Sequence, residues 1–342
     1  MCILGTRREK NMSGPLKYGV AGVGHLGKQH ARVAASLAGV TLVGLHDTDP
    51  GTLRRVASEL GVRPFSTLAE LVSSVEAASI AVPTTSHFEV AMQCVSAGVH
   101  VLIEKPLAAT VSQAEELVEA ASAKPVVLQT GHIERFNPIV QASFPLIKGP
   151  RFIEGHRLSS FVGRGTDIDV VLDLMIHDID LSLAAVDSQV RAVEGTGVPI
   201  LSRNIDIANA RISFRNGAVA NLTASRVSKE KTRKIRFFCE DSYISIDCLA
   251  RTAELYRKGL PAAARDGEGA WEETVIAPGI LRRVIAAPEQ EPLRLELEHF
   301  VKCVVSGATP IVDGLAGLRA MEVALKVIDK IREGISGAAP GA

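Results

Sequence analysis

The stretch Gly22-Val23-Gly24-His25-Leu26-Gly27 decides the fold, because it lies between a short apolar run at 17–21 and a helical pattern at 25–37. A G-x-G-x-x-G that ends a strand and opens a helix is typical of dinucleotide-binding turns. Glycine permits the tight turn and the close approach of the backbone to a pyrophosphate, which the helix N-terminus attracts. We therefore expect a dinucleotide at this turn, with every residue of the stretch except Val23 as a candidate contact.

The same alternation of strands and helices continues through the first 130 residues. The apolar runs are rich in Val, Ile and Ala and show no polar alternation, which indicates strands buried on both faces of a sheet. The predicted strands are 17–21, 40–45, 78–82, 99–103 and 125–129, and the predicted helices are 25–37, 50–60, 67–72, 86–97 and 111–122. Repeated strand–helix–strand units predict a doubly wound parallel sheet of the Rossmann type.

After residue 132 the pattern changes to longer strands and isolated helices. The predicted strands are 151–160, 209–214, 218–225, 234–239 and 243–247, and the predicted helices are 171–185, 292–305 and 315–333. Asn216-Gly217 between two of these strands predicts a hairpin. We expect a second domain of the α+β class with a large, mostly antiparallel sheet.

These patterns predict two domains with short ends. The cofactor domain covers 16–132 and the second domain covers 133–335. Residues 261–290 are rich in Pro, Ala and Gly and predict an irregular excursion. We expect a disordered leader at 1–15 and a disordered tail at 336–342.

Composition excludes several classes of protein. Among 342 residues, 38 Lys and Arg balance 38 Asp and Glu, and 4% are aromatic, so a nucleic-acid binder is not expected. The five cysteines are scattered without a CxxC pair, which argues against a disulfide framework or a zinc site. Neither a signal peptide nor a membrane span is evident in the sequence. We expect a cytoplasmic enzyme.

Asp47 at the end of the second predicted strand selects between the two nicotinamide cofactors. It lies twenty residues beyond Gly27, where a carboxylate binds the hydroxyls of the adenosine ribose. The carboxylate would repel a 2′-phosphate, and no arginine follows it immediately. The sequence therefore predicts NAD rather than NADP.

Further polar residues follow the third and fourth long strands. Pro83, Thr84 and His87 follow one of them, and Glu104 and Lys105 follow the other. Because open α/β sheets bind ligands at the carboxyl ends of their strands, these residues are expected at the cofactor cleft. An ordinary surface pair of Lys105 and Glu104 is the alternative.

The motif Asp173-Leu-Met-Ile-His177 carries the chemistry of the second domain. Residues i and i+4 share one face of a helix, so Asp173 can orient the His177 imidazole and raise its basicity. This arrangement suits a general base. A helix-capping Asp with a structural His is the alternative, and no third ligand accompanies the pair, so no metal is predicted.

Together, the glycine turn, a P-x-x-x-H segment, Glu-Lys-Pro and D-x-x-x-H resemble the glucose–fructose oxidoreductase/inositol dehydrogenase (Gfo/Idh/MocA) family over about 17–332. The resemblance implies that Lys105, Asp173 and His177 line the site where a sugar carbinol meets nicotinamide. Many members have paired glycines before the catalytic Asp, whereas this chain has Asp169-Val-Val-Leu. The resemblance also implies a homo-oligomer.

Two segments resemble a narrower branch, which oxidises UDP-N-acetylglucosamine at C3. They are GHIERFNP at 131–138 and VVLDLMIHDID at 170–180. The resemblance implies a nucleotide-sugar substrate, a PLP aminotransferase as the next enzyme, and a place in the supply of 2,3-diamino sugars for lipid A. Candidate substrate contacts, besides Asp173 and His177, are Arg135, Asn137, Arg157 and Arg164, because guanidinium groups pair well with a diphosphate.

We therefore expect an NAD-dependent sugar dehydrogenase. The proton acceptor can be His177 or Lys105, and the sequence does not choose between them. A dehydrogenase of inositol or another free sugar is one alternative, and a non-catalytic NAD-binding sensor is another. Retention of Lys105, Asp173 and His177 together argues against the sensor.

Overall fold

The chain forms two compact units. The computed structural model describes residues 14–161, 168–259 and 273–337. The first unit holds the described residues up to Ile133 together with Glu291–Arg319, and the second holds Glu134–Gln290 and the chain from Ala320 onwards. Residues 1–13 and 338–342, which make up most of the expected leader and tail, lie outside the described residues.

The first unit is built on a parallel sheet of six strands in the order β3-β2-β1-β4-β5-β6. The strands are β1 (Leu16–Ala21), β2 (Val40–His46), β3 (Arg63–Pro64), β4 (Ala77–Ile80), β5 (His100–Glu104) and β6 (Leu128–Gly131). The helices that connect them are α1 (His25–Ala35), α2 (Pro50–Leu60), α3 (Leu68–Val72), α4 (His87–Ser96) and α5 (Val111–Ser122). The strand order reverses between β1 and β4, where open α/β sheets form their ligand crevice. The predicted doubly wound sheet is confirmed.

Local signals fix the ends of several of these helices. The Asp49 side chain caps α2 by accepting from the backbone N–H groups of Gly51 and Thr52. Gly61 ends the same helix with a left-handed φ of 66°. Thr67 begins α3 in a capping box with Glu70.

A helix from late in the sequence completes the first unit's core. The helix α8 (Pro292–Ser306) buries Leu297 and Phe300 in one apolar cluster with β1 and α1. The ring of Phe300 meets that of Tyr18 edge-on, with centroids 6.2 Å apart. The predicted domain boundary at 132/133 therefore separates α8 from the unit with which it packs. Apolar spacing shows which face of a helix is buried, but it does not show which element covers that face.

The second unit is built on a sheet of nine strands in the order β14-β15-β13-β12-β11-β7-β10-β9-β8. The strands are β7 (Phe152–Leu158), β8 (Val190–Val198), β9 (Ile207–Phe214), β10 (Val219–Ser225), β11 (Thr232–Phe238), β12 (Ser242–Asp247), β13 (Thr252–Lys258), β14 (Glu273–Ala277) and β15 (Ile280–Ile285). All neighbours are antiparallel except β7 and β10. The predicted antiparallel sheet and the hairpin at Asn216-Gly217 are confirmed.

Three helical elements accompany this sheet. They are α6 (Pro138–Ser143), α7 (Ile176–Ala185), which a π-helical turn at Val171–Met175 precedes, and α9 (Gly314–Gly337). Val327 and Ile331 of α9 pack onto β8, and a Cβ at Gly195 would come within 2.9 Å of the Val327 carbonyl oxygen. Glycine at this position therefore permits the close approach of helix and strand.

The prediction of an irregular excursion at 261–290 was wrong for part of its length. β14 and β15 form a hairpin around Gly279, which has a φ of 73°, and β15 pairs with β13. β8 at the opposite edge was also not predicted. Edge strands bury few side chains, so their sequences show little apolar alternation. Residues 260–272 lie outside the described part of the chain.

None of the helices that the structure describes combines the length and the apolar character needed to cross a membrane.

Candidate active site

At two glycines of the turn after β1, the backbone of the protein leaves no room for a side chain. Gly22 has a left-handed φ of 81°, and a Cβ there would lie 2.7 Å from the carbonyl carbon and oxygen of Ala81. A Cβ at Gly27 would lie only 1.7 Å from the carbonyl oxygen of Gly22. The turn therefore closes tightly on the start of α1 and on the chain after β4.

Gly24 is different, because a Cβ there would meet no protein atom within 4 Å. It precedes α1, whose first turn receives no hydrogen bond from a capping side chain. His25 and Leu26 are both exposed in the same turn. Uncapped N–H groups beside an open glycine form a cradle that suits a pyrophosphate, so the turn fits the expected dinucleotide.

Asp47 follows β2 and holds this turn in place. Its Oδ2 accepts a hydrogen bond from the backbone N–H of Val23 at 2.7 Å, and its Oδ1 accepts from that of Asp49 at 2.8 Å. A carboxylate has about four acceptor positions, so two remain for ribose hydroxyls. Asp47 therefore shapes the glycine turn and keeps acceptor positions open on its carboxylate.

His87 connects the two remaining segments of the predicted cofactor site. Its Nδ1 lies 2.8 Å from the carbonyl oxygen of Pro106, and its Nε2 lies 2.9 Å from that of Val82. Its side chain is buried, whereas Pro83 is exposed and Thr84 is half-buried. Burial lowers the pKa of His87, against the opposing effect of these two carbonyl groups. His87 thus holds the chain segments after β4 and β5 together.

Glu104 ends β5, and the half-buried Lys105 follows it. The Glu104 carboxylate accepts from the imidazole of His30 at 2.9 Å and from the backbone N–H of Lys105 at 3.3 Å. Sequence reasoning missed His30, although it follows Gly27 by three residues and therefore lies one turn further along α1. All the predicted cofactor residues thus lie just beyond the carboxyl ends of β1, β2, β4 and β5.

Asp173 and His177 lie in the second unit, on one continuous helical segment. Asp173 belongs to the π-helical turn, and His177 is the second residue of α7. Both side chains are half-buried. The turn is anchored by Asp169, whose carboxylate accepts from the backbone N–H of Ile205 at 2.9 Å and pairs with Arg332 at 3.0 Å. π-helical turns occur often at functional sites, because they reposition side chains relative to a regular helix.

Arg157 differs from its expected role as a diphosphate contact. Its guanidinium makes a bidentate pair with Asp178, at 2.7 and 3.1 Å, and a third bond to Glu134 at 2.8 Å. Only 3% of the side chain is exposed. Its position indicates a buried ion network that joins β7, α7 and the segment 134–137, because so buried a guanidinium offers little surface to a ligand.

Asn137 also has partners within the chain. Its side chain donates to Glu134 and to the carbonyl oxygen of Cys248, both at 3.1 Å, and its Oδ1 caps α6. Arg135 is more accessible, with 18% of its side chain exposed, and lies 3.8 Å from Asp180 and over the ring of Phe144. Arg164 lies outside the described residues.

Within the described ranges, no group of three or more His, Cys, Asp or Glu side chains is placed to hold a metal ion. The polar groups described above can instead bind a dinucleotide and carry out acid–base chemistry.

Two family models match the chain. The Gfo/Idh/MocA model, described as an oxidoreductase family with an NAD-binding Rossmann fold, matches residues 16–132. The Gfo/Idh/MocA C-terminal domain model matches residues 150–245.

Individual proteins are similar to this chain along almost its whole length. UDP-N-acetylglucosamine 3-dehydrogenase of Acidithiobacillus ferrooxidans is 37% identical over 316 residues, which cover 91% of this chain and 96% of that protein. A solved structure of that enzyme has a TM-score of 0.85 at 36% identity and covers 93% of this chain and 98% of its own. The NAD-dependent scyllo-inositol 2-dehydrogenase of Bacillus subtilis is 25% identical, over 95% of this chain and 96% of that protein.

Proposed function

Because the chain belongs to the Gfo/Idh/MocA family of NAD-binding oxidoreductases, we propose that it oxidises UDP-N-acetylglucosamine at C3. The observation that carries this proposal is the 37% identity, over 91% of the chain, to an enzyme named for that reaction. The family and the NAD-binding domain account for the cofactor, and the open cradle at Gly24 and the carboxylate of Asp47 fit it.

Some residues of the chain bind the cofactor in this reaction, and others transfer the proton. When bound, NAD supplies the nicotinamide C4 that accepts the hydride from the sugar carbon. The turn from Gly22 to Gly27 binds the pyrophosphate, and Asp47 binds the adenosine ribose. The hydroxyl proton passes to His177, oriented by Asp173, or to Lys105, and the other group hydrogen-bonds the oxygen as negative charge develops.

Recognition of the diphosphate falls to fewer residues than the sequence suggested. We assign it to Arg135 and Arg164, and we assign Arg157 and Asn137 to support of the segment that carries Arg135. The buried bonds of Arg157 to Glu134 and Asp178 favour this division. Binding energy from the uridine diphosphate then helps to position the sugar for hydride transfer.

The product of this reaction is a 3-keto sugar nucleotide. A ketone of this type is the substrate that a PLP aminotransferase converts to an amino sugar, and the 2,3-diamino sugar so formed serves lipid A. We propose this place for the enzyme, in the cytoplasm and as a homo-oligomer.

A second candidate is the oxidation of inositol or another free sugar. The relative from Bacillus subtilis, which bears the name of an inositol dehydrogenase, favours it. The two candidates differ in the need for a diphosphate, so a comparison of substrates separates them.

The test follows NADH formation from UDP-N-acetylglucosamine, free N-acetylglucosamine and inositol, with an aminotransferase and an amino donor added to remove the ketone. We expect the nucleotide sugar to react with the highest kcat/KM. Deuterium at C3 should appear in the reduced cofactor, and deuterium at C4 should not. A higher kcat/KM for either free compound would overturn the proposed substrate and leave the family assignment intact.

A further inference from the structure

A chain of polar side chains crosses the apolar core of the first unit. The Tyr18 hydroxyl lies 2.7 Å from Oγ of Ser79, which lies 2.9 Å from Nδ1 of His30. Nε2 of His30 lies 2.9 Å from the Glu104 carboxylate. Tyr18, Ser79 and His30 are at most 1% exposed. Burying so many polar groups is unfavourable unless each is hydrogen-bonded, and each of these four side chains has a hydrogen-bond partner within the row.

The hydrogen bonds in this chain have one consistent direction when His30 is neutral. An ionised carboxylate only accepts, so Nε2–H of His30 donates to Glu104. Nδ1 then accepts from the Ser79 hydroxyl, which in turn accepts from Tyr18. The two hydroxyls thereby select one tautomer of the imidazole and aim its N–H at Glu104.

The other oxygen of the Glu104 carboxylate faces the Lys105 turn. Oε2 accepts from the backbone N–H of Lys105 at 3.3 Å. It also lies against Gly131, where a Cβ would come within 3.2 Å of it. The carboxylate is thus held on one side by His30, fixed on the other by the peptide that carries Lys105, and confined by Gly131.

The charges around Glu104 come from four elements. Burial raises its pKa, but the hydrogen bond from His30 and the charge of Lys105 hold that pKa below its usual range. Glu296 of α8 is fully buried, and neither of its carboxyl oxygens has a partner among the described residues. Burial and the charge of Glu104 raise the pKa of Glu296 well above its usual range. Burial also lowers the pKa of His87, which also interacts with the charge of Glu104.

We propose that His30 is a positioning residue of the reaction, which keeps the Glu104 carboxylate ionised and directed at the peptide of Lys105. Ser79 and Tyr18 fix the imidazole that does this. The inference rests on the proposed function, because it assumes that Lys105 acts on the substrate hydroxyl. It adds a buried support that begins on the helix of the glycine turn and ends at the catalytic lysine.

The test compares three full-length variants. His30→Ala removes the donor, and His30→Gln replaces it with an amide that can still donate to Glu104. Val33→Ala is the matched control, because Val33 is buried on the same helix and its truncation costs packing without touching Glu104. The Glu104 side-chain carbon is followed by NMR of protein labelled with ¹³C at the glutamate carboxyls, and its signal is assigned from Glu104→Gln.

We expect the Glu104 carboxyl of Val33→Ala to titrate at the same pH as that of the wild type. In His30→Ala it should titrate at a higher pH, and in His30→Gln at a pH between the two. The ratio of kcat at pH 8.5 to kcat at pH 6.5 should rise at least about tenfold in His30→Ala relative to wild type, with little change in the Kd for NAD.

Each outcome bears on a separate claim. The inference is overturned if Glu104 titrates in His30→Ala at the same pH as in the wild type, or if the pH profile of kcat for His30→Ala is no different from that of Val33→Ala. A wild-type protein that turns over none of the sugars overturns the proposed function, and the NMR titration then decides alone whether His30 controls Glu104. If His30→Ala does not fold, Ser79→Ala removes the hydroxyl that fixes the tautomer and should move both readouts in the same direction by less.

Discussion

Alanine at Gly24 and alanine at Gly27 should separate cofactor binding from folding within a single turn. A Cβ at Gly24 meets no protein atom within 4 Å, whereas one at Gly27 lies 1.7 Å from the carbonyl oxygen of Gly22. Gly24 has an ordinary φ of −64°, so alanine there is not strained by that angle. The two substitutions add the same methyl group, and only one of them collides with the protein.

The magnitudes follow from these distances. The atom that blocks a Cβ at Gly27 belongs to the backbone of a tight turn, so it cannot move aside as the end of a side chain can. We expect Gly27→Ala to cost at least about 3 kcal/mol of the free energy of unfolding. Gly24→Ala should cost at most about 1 kcal/mol, from the poorer N-cap. Its methyl group occupies the approach of the pyrophosphate, so binding of NAD should weaken at least about tenfold, or about 1.4 kcal/mol.

Thermal unfolding followed by circular dichroism measures the first effect, and calorimetric titration with NAD measures the second. Gly24→Ala should unfold close to the wild-type temperature with a raised Kd, and Gly27→Ala should unfold at a clearly lower temperature without NAD present. Wild-type affinity in Gly24→Ala would refute the assignment of the cradle. A wild-type unfolding temperature for Gly27→Ala would refute the steric argument.

Three further predictions concern other residues. The wild type should prefer NAD to NADP by at least about tenfold in titrations, and Asp47→Ser should shrink that preference; equal binding by the wild type would contradict this role. His177→Ala and Lys105→Ala should each lower kcat by about 10²-fold or more and spare NAD binding, whereas Asp173→Asn should cost less because it disturbs orientation alone; near-full activity of His177→Ala at neutral pH would assign the base to Lys105. Burial raises the pKa of Asp206, but the Ser202 hydroxyl and three backbone N–H groups bring it to about 2. This carboxylate therefore stabilises the fold above the unfolded pKa and loses that contribution as pH falls from about 5 towards 2. Urea unfolding at several pH values should show that Asp206→Asn loses less free energy of unfolding over this range than the wild type does.

The parts of the fold that the sequence predicted are those with local causes. α2 and α5 begin and end at the predicted residues, because Asp49 and Thr110 cap them and Gly61 ends the first. The glycine turn was predictable because positive φ and close backbone contact leave few residue types possible. The NAD-binding fold follows from that turn and its neighbouring strands, and it is confirmed.

The parts that were missed depend on distant partners. α8 was predicted as a helix, but its place beside Tyr18 depends on which apolar face it meets, and spacing within the helix is silent on that. The hairpin of β14 and β15 gains its hydrogen bonds from β13 and from its own two strands. β14 lies at the edge of the sheet, where a strand needs few buried side chains. The composition at 261–290 therefore predicted an irregular segment.

Arg157 shows why the type of a residue does not settle its role. A guanidinium offers five N–H donors, and these suit a diphosphate and a pair of carboxylates equally well. Which of them it meets depends on whether Glu134 and Asp178 converge on it, and they lie 23 and 21 residues from it along the chain. His30 was missed for the related reason that a histidine one turn after a glycine motif has no distinctive pattern until Ser79 and Glu104 are placed around it. In both cases the decisive fact is the partner at close range. The residues assigned to chemistry in this protein should therefore be those whose hydrogen bonds or ion pairs connect them to the ends of β1, β2, β4 and β5 or to the π-helical turn.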